Sequence, residues 1–185
     1  GGSTAGLFNS IASGMDVQIV ADKGQSKPGF DWANILMLRK DLVPVVKEKG
    51  LKALKGMNNC MWGRANISEY ASYHHLKKLG LSMDHFNSIY MSPPKQYTGW
   101  KSKACAIGNL AEPWGVRAEE EGLAVRYWKP SGVPEMVNTQ VAVIIYPGKF
   151  VRQRPQVAQK WMNAYIKALH YFNEKGMSHP SVIKI

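Results

Sequence analysis

Thr139-Gln140-Val141-Ala142-Val143-Ile144-Ile145-Tyr146 is the most strand-like stretch of the chain. Its β-branched residues favour extended backbone, where branched side chains fit a pleated surface. A run this apolar is expected to be buried on both faces, as in a parallel or mixed sheet. Downstream, Pro155 opens the longest predicted helix, residues 156–173. Val157, Trp161, Ala164, Tyr165, Ala168 and Phe172 share one face of it, opposite Gln159, Asn163 and Lys167, a pattern that predicts packing on the core. Upstream, residues 130–134 read as a linker and 123–128 as a strand.

The rest of the chain alternates strands with helices. The spacing predicts helices over residues 4–13, 42–49, 67–79, 95–103 and 113–121. Strands are expected over 17–21, 34–39, 57–62, 87–91 and 105–111, with the Asn58-Asn59 pair weakening the third. Leu7, Phe8 and Ile11 form an apolar stripe on the first helix. Ile67, Tyr70, Ala71, His74 and Leu79 are the expected inner side of the third. Residues 22–29 read as a loop, and Gly14, Gly50, Gly80 and Gly122 stop the elements before them. Strand–helix alternation of this kind is an α/β fold.

Composition narrows the function classes. Of 185 residues, 45% are hydrophobic and 20% charged, enough to build a core and unlike a disordered chain. The net charge of +11 first suggests nucleic acid, anionic lipid or an acidic ligand. The charges are scattered, however; the densest groups are Lys101-Ser102-Lys103 and Arg152-Gln153-Arg154, which reads as a solvated basic surface with no nucleic-acid motif. Cys60 and Cys105 form neither a CxxC pair nor a zinc spacing, so two separate small buried side chains are expected in preference to a disulfide. The five histidines show no metal spacing, because adjacent His74 and His75 point to different faces of a helix. No GxSxG, HExxH or P-loop pattern is present.

Several stretches, in their order and spacing, resemble one family. They are Gly1 to Ala21 (GGSTAGLFNSIASGMDVQIVA), Leu54-Lys55-Gly56, Asn109 to Gly115 (NLAEPWG) with Gly122 to Trp128 (GLAVRYW), and Gln140 to Tyr146 with Arg154 to Tyr165. Together they are similar to the substrate-binding proteins of ABC importers of the nitrate/sulfonate/taurine and thiamine-pyrimidine type, SsuA/NMT-like. The resemblance implies a type 2 periplasmic-binding fold: two α/β lobes with a hinge, closing on a solute between them. It assigns residues 1–40 to part of the first lobe, 41–134 to the second, and 135–185 to the return into the first. The first lobe is then expected to be incomplete, with its opening strands preceding Gly1. Two positions depart from the family pattern: Met57-Asn58-Asn59-Cys60, where an apolar strand is usual, and Ala104-Cys105-Ala106, near which an Asp is common.

The resemblance implies a periplasmic or membrane-anchored extracytoplasmic protein, monomeric when full length. Such a protein captures a sulfonate, taurine, nitrate or pyrimidine-type solute and delivers it to an ABC permease in the inner membrane. No enzymatic activity, cofactor, metal or nucleic-acid partner is expected. Gly2, Ser3 and Thr4 precede a helix, whose free N–H groups favour an anionic head or accept an ordinary cap. Arg64 and Asn66 lie in a second glycine loop opening a helix, where Arg64 is either a bidentate anion ligand or a surface charge. Glu112 and Trp114 follow a strand at its carboxyl end, the side of an open α/β sheet that faces a ligand crevice. There Glu112 is a partner for an amine or a helix N-terminal carboxylate, and Trp114 a stacking surface or a core side chain. Two other readings stay open: an enzyme resembling the pyrimidine-precursor synthases on the same fold, and a sensory ligand-binding domain.

Overall fold

The structure, a computed structural model, describes residues 4–26, 35–128, 133–176 and 178–183. The chain builds two sheets. The larger is assembled around Ile35 to Leu38, four consecutive apolar residues at most 2% exposed. Side chains alternate across a strand. Leu36 and Leu38 therefore join one apolar cluster, with Val46, Leu54, Leu76 and Phe86. Ile35 and Met37 join the opposite one, with Tyr97, Trp100, Leu110 and Ala118. Burial on both faces explains why the stretch has no polar alternation.

The elements follow in chain order. α1 (Thr4–Ala12) leads to β1 (Val17–Gln25) and β2 (Leu36–Arg39). Then come α2 (Val43–Lys49), β3 (Asn58–Met61), α3 (Ile67–Lys78), β4 (Asn87–Tyr90), α4 (Pro93–Lys101), β5 (Ile107–Asn109), α5 (Trp114–Glu120) and β6 (Ala124–Trp128). β7 (Gln140–Pro147), α6 (Gly148–Gln153), α7 (Pro155–Lys175) and α8 (Pro180–Ile183) complete the chain. The five-stranded sheet has the order β4-β3-β5-β2-β6. β3 runs parallel to β4 and β5, while β2 is antiparallel to both β5 and β6. β1 and β7 form a separate antiparallel two-stranded ribbon with three register irregularities.

The cysteines overturn the expectation of two separate side chains: Cys60 and Cys105 are joined in a disulfide, and both are fully buried. The strand edges meet closely there. A side-chain carbon on Gly99 would sit 2.7 Å from Cys105 Sγ, and one on Gly108 would collide with the Cys60 carbonyl. The spacing of 45 residues concealed the pair because β5 is inserted beside β3 only after the α3–β4–α4 excursion.

The predicted elements are found with shifted ends, and five readings need correction. β1 extends through residues 22–25, expected to be a loop, and is only partly buried. β7 is largely buried as expected, but in an antiparallel ribbon rather than a parallel or mixed sheet. On α3 the expected Ile67 and Ala71 are buried, but the inner face also takes in Ser68, Ser72, His75 and Leu76, whereas Tyr70 is 38% exposed. Small hydroxyls let α3 lie close to the sheet, which rotates the buried face away from Tyr70 and His74. α7 is not a buried core helix. Only Ala158 is buried, with Met162 and Tyr165 packed against the ribbon, while Val157, Trp161, Ile166, Leu169 and Phe172 are 40–51% exposed. The apolar period is real, but a two-stranded ribbon is too narrow to cover a helix of 21 residues, about 31 Å long. Phe8 on α1 is likewise 59% exposed, although Leu7 beside it is buried.

Loop-closure entropy for a cross-link across 45 residues predicts that the disulfide stabilises the fold by roughly 3–4 kcal/mol. Urea denaturation of the Cys60→Ala/Cys105→Ala double variant should show a loss of that size. An unchanged midpoint, or free thiols in the untreated chain by mass spectrometry, would contradict it.

Candidate functional site

The carboxyl ends of β3 and β5 deliver Trp62 and Asn109 to one edge of the larger sheet, and α3 lies across them. Asn109 is fully buried, and its Oδ1 accepts from the Ser72 hydroxyl. The indole of Trp62 donates to the Asn109 carbonyl at 2.6 Å. Trp62 also packs with Ile67 against Val141 of β7, an apolar contact between the two sheets.

The loop between β3 and α3 is stitched to itself. Asn66 is the N-cap of α3: its Oδ1 accepts from Ser68 N at 2.9 Å, Ser68 Oγ at 2.7 Å and Glu69 N at 3.4 Å. Ser68 Oγ in turn accepts from Trp62 N at 3.0 Å. Such a cap satisfies donors that a helix start otherwise leaves open. A side-chain carbon on Gly63 would lie 2.9 Å from the Asn66 amide nitrogen, so a larger residue there would push against the capping side chain. The Ala65 amide donates to Glu69 Oε2 at 2.6 Å, and the hydroxyl of Tyr90 donates to the other oxygen of Glu69. Burial and this carboxylate push the Tyr90 phenol up, while Arg64 partly opposes them.

Across from this loop lies α1. A side-chain carbon on Gly6 would stand 3.3 Å from the Ala65 carbonyl oxygen. The first turn of α1 and the 63–66 loop, two glycine-containing helix starts read separately in the sequence, are therefore brought together. Of the residues singled out there, Gly2 and Ser3 lie outside the described residues, and Thr4 is the first residue of α1. Arg64 is exposed, makes no ion pair among the described residues, and holds its guanidinium 5.5 Å from the centre of the Tyr90 ring.

Glu112 and Trp114 have partners of their own. Glu112 Oε1 accepts from Arg126 Nη2 at 2.5 Å and its Oε2 from Val116 N at 3.0 Å, which ties β6 to the start of α5. Trp114 is half-buried, with its ring 5.5 Å from that of Tyr97 in the apolar cluster under α4. Trp62, Ser68, Ser72 and Asn109 escaped sequence reading. Asn109 did carry one signal, an amide inside a stretch expected to be a buried strand.

No protein-family model matches the chain, and no curated protein sequence matches it. Solved structures do. The chain is similar to a zinc-bound ligand-binding component of an ABC-type import system from Staphylococcus aureus (TM-score 0.66, 18% identity, 84% of this chain and 50% of that one). It is also similar to the periplasmic aliphatic sulphonate-binding protein SsuA of Escherichia coli (TM-score 0.65, 11% identity, 94% and 55%). A third is the periplasmic nitrate-binding protein NrtA of Synechocystis PCC 6803 (TM-score 0.65, 14% identity, 85% and 43%). The fold is thus that of ABC-importer substrate-binding proteins, the type 2 periplasmic-binding fold that the sequence resemblance implied. The chain spans about half the length of these proteins.

Removing the cap should isolate its structural share. Asn66→Ala is expected to lower stability by about 1–2 kcal/mol in urea denaturation, with Asn66→Asp retaining most of it. Equal stability of the alanine variant would show that the loop does not depend on this side chain.

Proposed function

We propose that the chain is a solute-binding component of an ABC importer, gripping a small molecule between two lobes without altering it. The observation that carries this reading is the approach of the α1 first turn to the 63–66 loop, one from each sheet. Clefts where two halves meet are the usual seats of small ligands. On this reading, the lobes follow the division 1–40 with 135–185 against 41–134 that the resemblance implies, with the first boundary moved ahead of β2, which is hydrogen-bonded between β5 and β6 in the larger sheet. Gly2, Ser3 and Thr4 offer helix-start N–H groups from one side. Arg64 and Asn66 stand on the opposing loop, and Glu112 and Trp114 border the site at the carboxyl edge of the sheet. A sulfonate, taurine, nitrate or pyrimidine-type compound is the proposed solute, and a permease its recipient.

The compartment proposed on this reading is extracytoplasmic. A buried disulfide suits an oxidising, extracytoplasmic setting. No helix among the described residues is long and apolar enough to cross a membrane.

A ligand that binds only the folded state stabilises it by about 2.7 kcal/mol at a hundred times its Kd. Screening taurine, alkyl sulfonates, nitrate, bicarbonate and formylaminopyrimidines by thermal shift should therefore raise the melting temperature with at least one of them, with the compound recovered unchanged. A flat response across the set would remove the main support for solute capture, and turnover of the compound would favour an enzyme.

A further inference from the structure

We propose that the end of the larger sheet opposite the cleft is a docking surface for an anionic lipid bilayer. The lysines that look scattered in the sequence are collected there by the topology. Trp62 and Asn109 mark the cleft edge, at the carboxyl ends of β3 and β5. β3, β4 and β5 are parallel, so all three begin at the opposite edge, where antiparallel β2 ends at Arg39. Lys40 follows β2, Lys52 and Lys55 precede β3, and Lys101 and Lys103 precede β5, which puts all five at this end. Each is exposed, and residues 39–55 alone carry six cations against Asp41 and Glu48. Cations favour helix C-termini, which accounts for Lys101 at the end of α4. Lys40, Lys52, Lys55 and Lys103 stand outside the α-helices, so that effect does not place them. The proposal stands apart from the cleft reading, because Trp62, Asn109 and the 63–66 loop lie at the other end.

Hydrogen bonds hold this end in shape. Arg39 Nη1 donates to the Lys103 carbonyl at 2.5 Å and to the Cys105 carbonyl at 3.4 Å. Asn58 Nδ2 donates to the Ala104 carbonyl and Asn87 Nδ2 to the Gly56 carbonyl, each at 2.7 Å, which joins the starts of β3 and β4 to the same turn. A notch of about 120 Å³ there is lined by Arg39, Lys40, Lys101 and Lys103. Its one acid, Asp41, is shared between Arg39 and Lys103, while Glu121 is engaged by Lys101 and Arg117. Lys40, Lys52 and Lys55 make no ion pair among the described residues; Asp84 and Glu120 are the exposed carboxylates at this end that also make none. The excess is therefore positive. A phosphoryl group suits such a notch, and a bilayer presents many side by side. Each lysine close to an anionic leaflet adds attraction that salt screens. Val45 and Met57, which flank these lysines in the chain, are 39% and 38% exposed and add apolar contacts of the kind a headgroup layer accepts.

Co-sedimentation of the 185-residue chain with vesicles tests the proposal. Vesicles of about one-third phosphatidylglycerol in phosphatidylcholine should carry the chain down, and pure phosphatidylcholine should not. Raising salt from about 0.05 M to about 0.5 M should release it. Millimolar inorganic phosphate at constant ionic strength should not. The triple variant Lys40→Gln/Lys55→Gln/Lys103→Gln should bind about tenfold more weakly or worse. Lys149→Gln/Lys160→Gln/Lys167→Gln makes the same change of charge on α6 and α7, and should alter binding by less than about twofold. Equal sedimentation with both vesicles, none with either, release by phosphate, or equal effects of the two triple variants would overturn the proposal. So would tighter binding to mixed-sequence duplex DNA than to the anionic vesicles.

Discussion

A hydroxyl-to-amide hydrogen bond inside the protein, from Ser72 to Asn109, fixes α3 against the end of β5. Both residues are fully buried, and a buried polar group left without a partner costs more than an apolar one. The bond therefore selects one seat for the helix among those that its apolar residues alone would accept. From that seat the rest follows. Ile67 reaches Val141 of the ribbon, Ala71 packs under Val133 and Met136, and the 63–66 loop comes to lie against α1. One helix thus links the two sheets and shapes both faces of the candidate site.

The fold was legible where the sequence repeats a local rule. Ile35 to Leu38 and Val141 to Ile145 announced strands through unbroken apolar runs, and Gly50, Gly80 and Gly122 mark the turns where φ is positive. What was not legible depends on which surfaces meet. The Cys60–Cys105 bridge spans 45 residues and needs the sheet order β3-β5 before it can be seen. The exposed face of α7 obeys the same 3.6-residue period as a core helix, and only the width of the β1–β7 ribbon reveals that most of it is left open.

The candidate site divides along the same line. Glycine-containing helix starts could be read locally, so the 63–66 loop and the α1 start were both found. Their approach could not be read, because it joins residues about 60 positions apart. Glu112 looked available for a solute in the sequence. In the fold its carboxylate is shared between Arg126 and the Val116 amide, and Arg126 lies on a strand with no local cue linking it to Glu112. Asn66, read as a possible contact, spends its side-chain oxygen on the helix start, which leaves its amide nitrogen as the polar group that the proposed solute reading can use.

The central claim is that α1 and the 63–66 loop act as two jaws on one solute. Amide hydrogen exchange, with and without a saturating amount of the most stabilising solute, tests it directly. Joint added protection at residues 4–7 and 63–68, with the α7 surface unaffected, is the predicted outcome. Protection confined to one of the two segments, or located elsewhere, would contradict it.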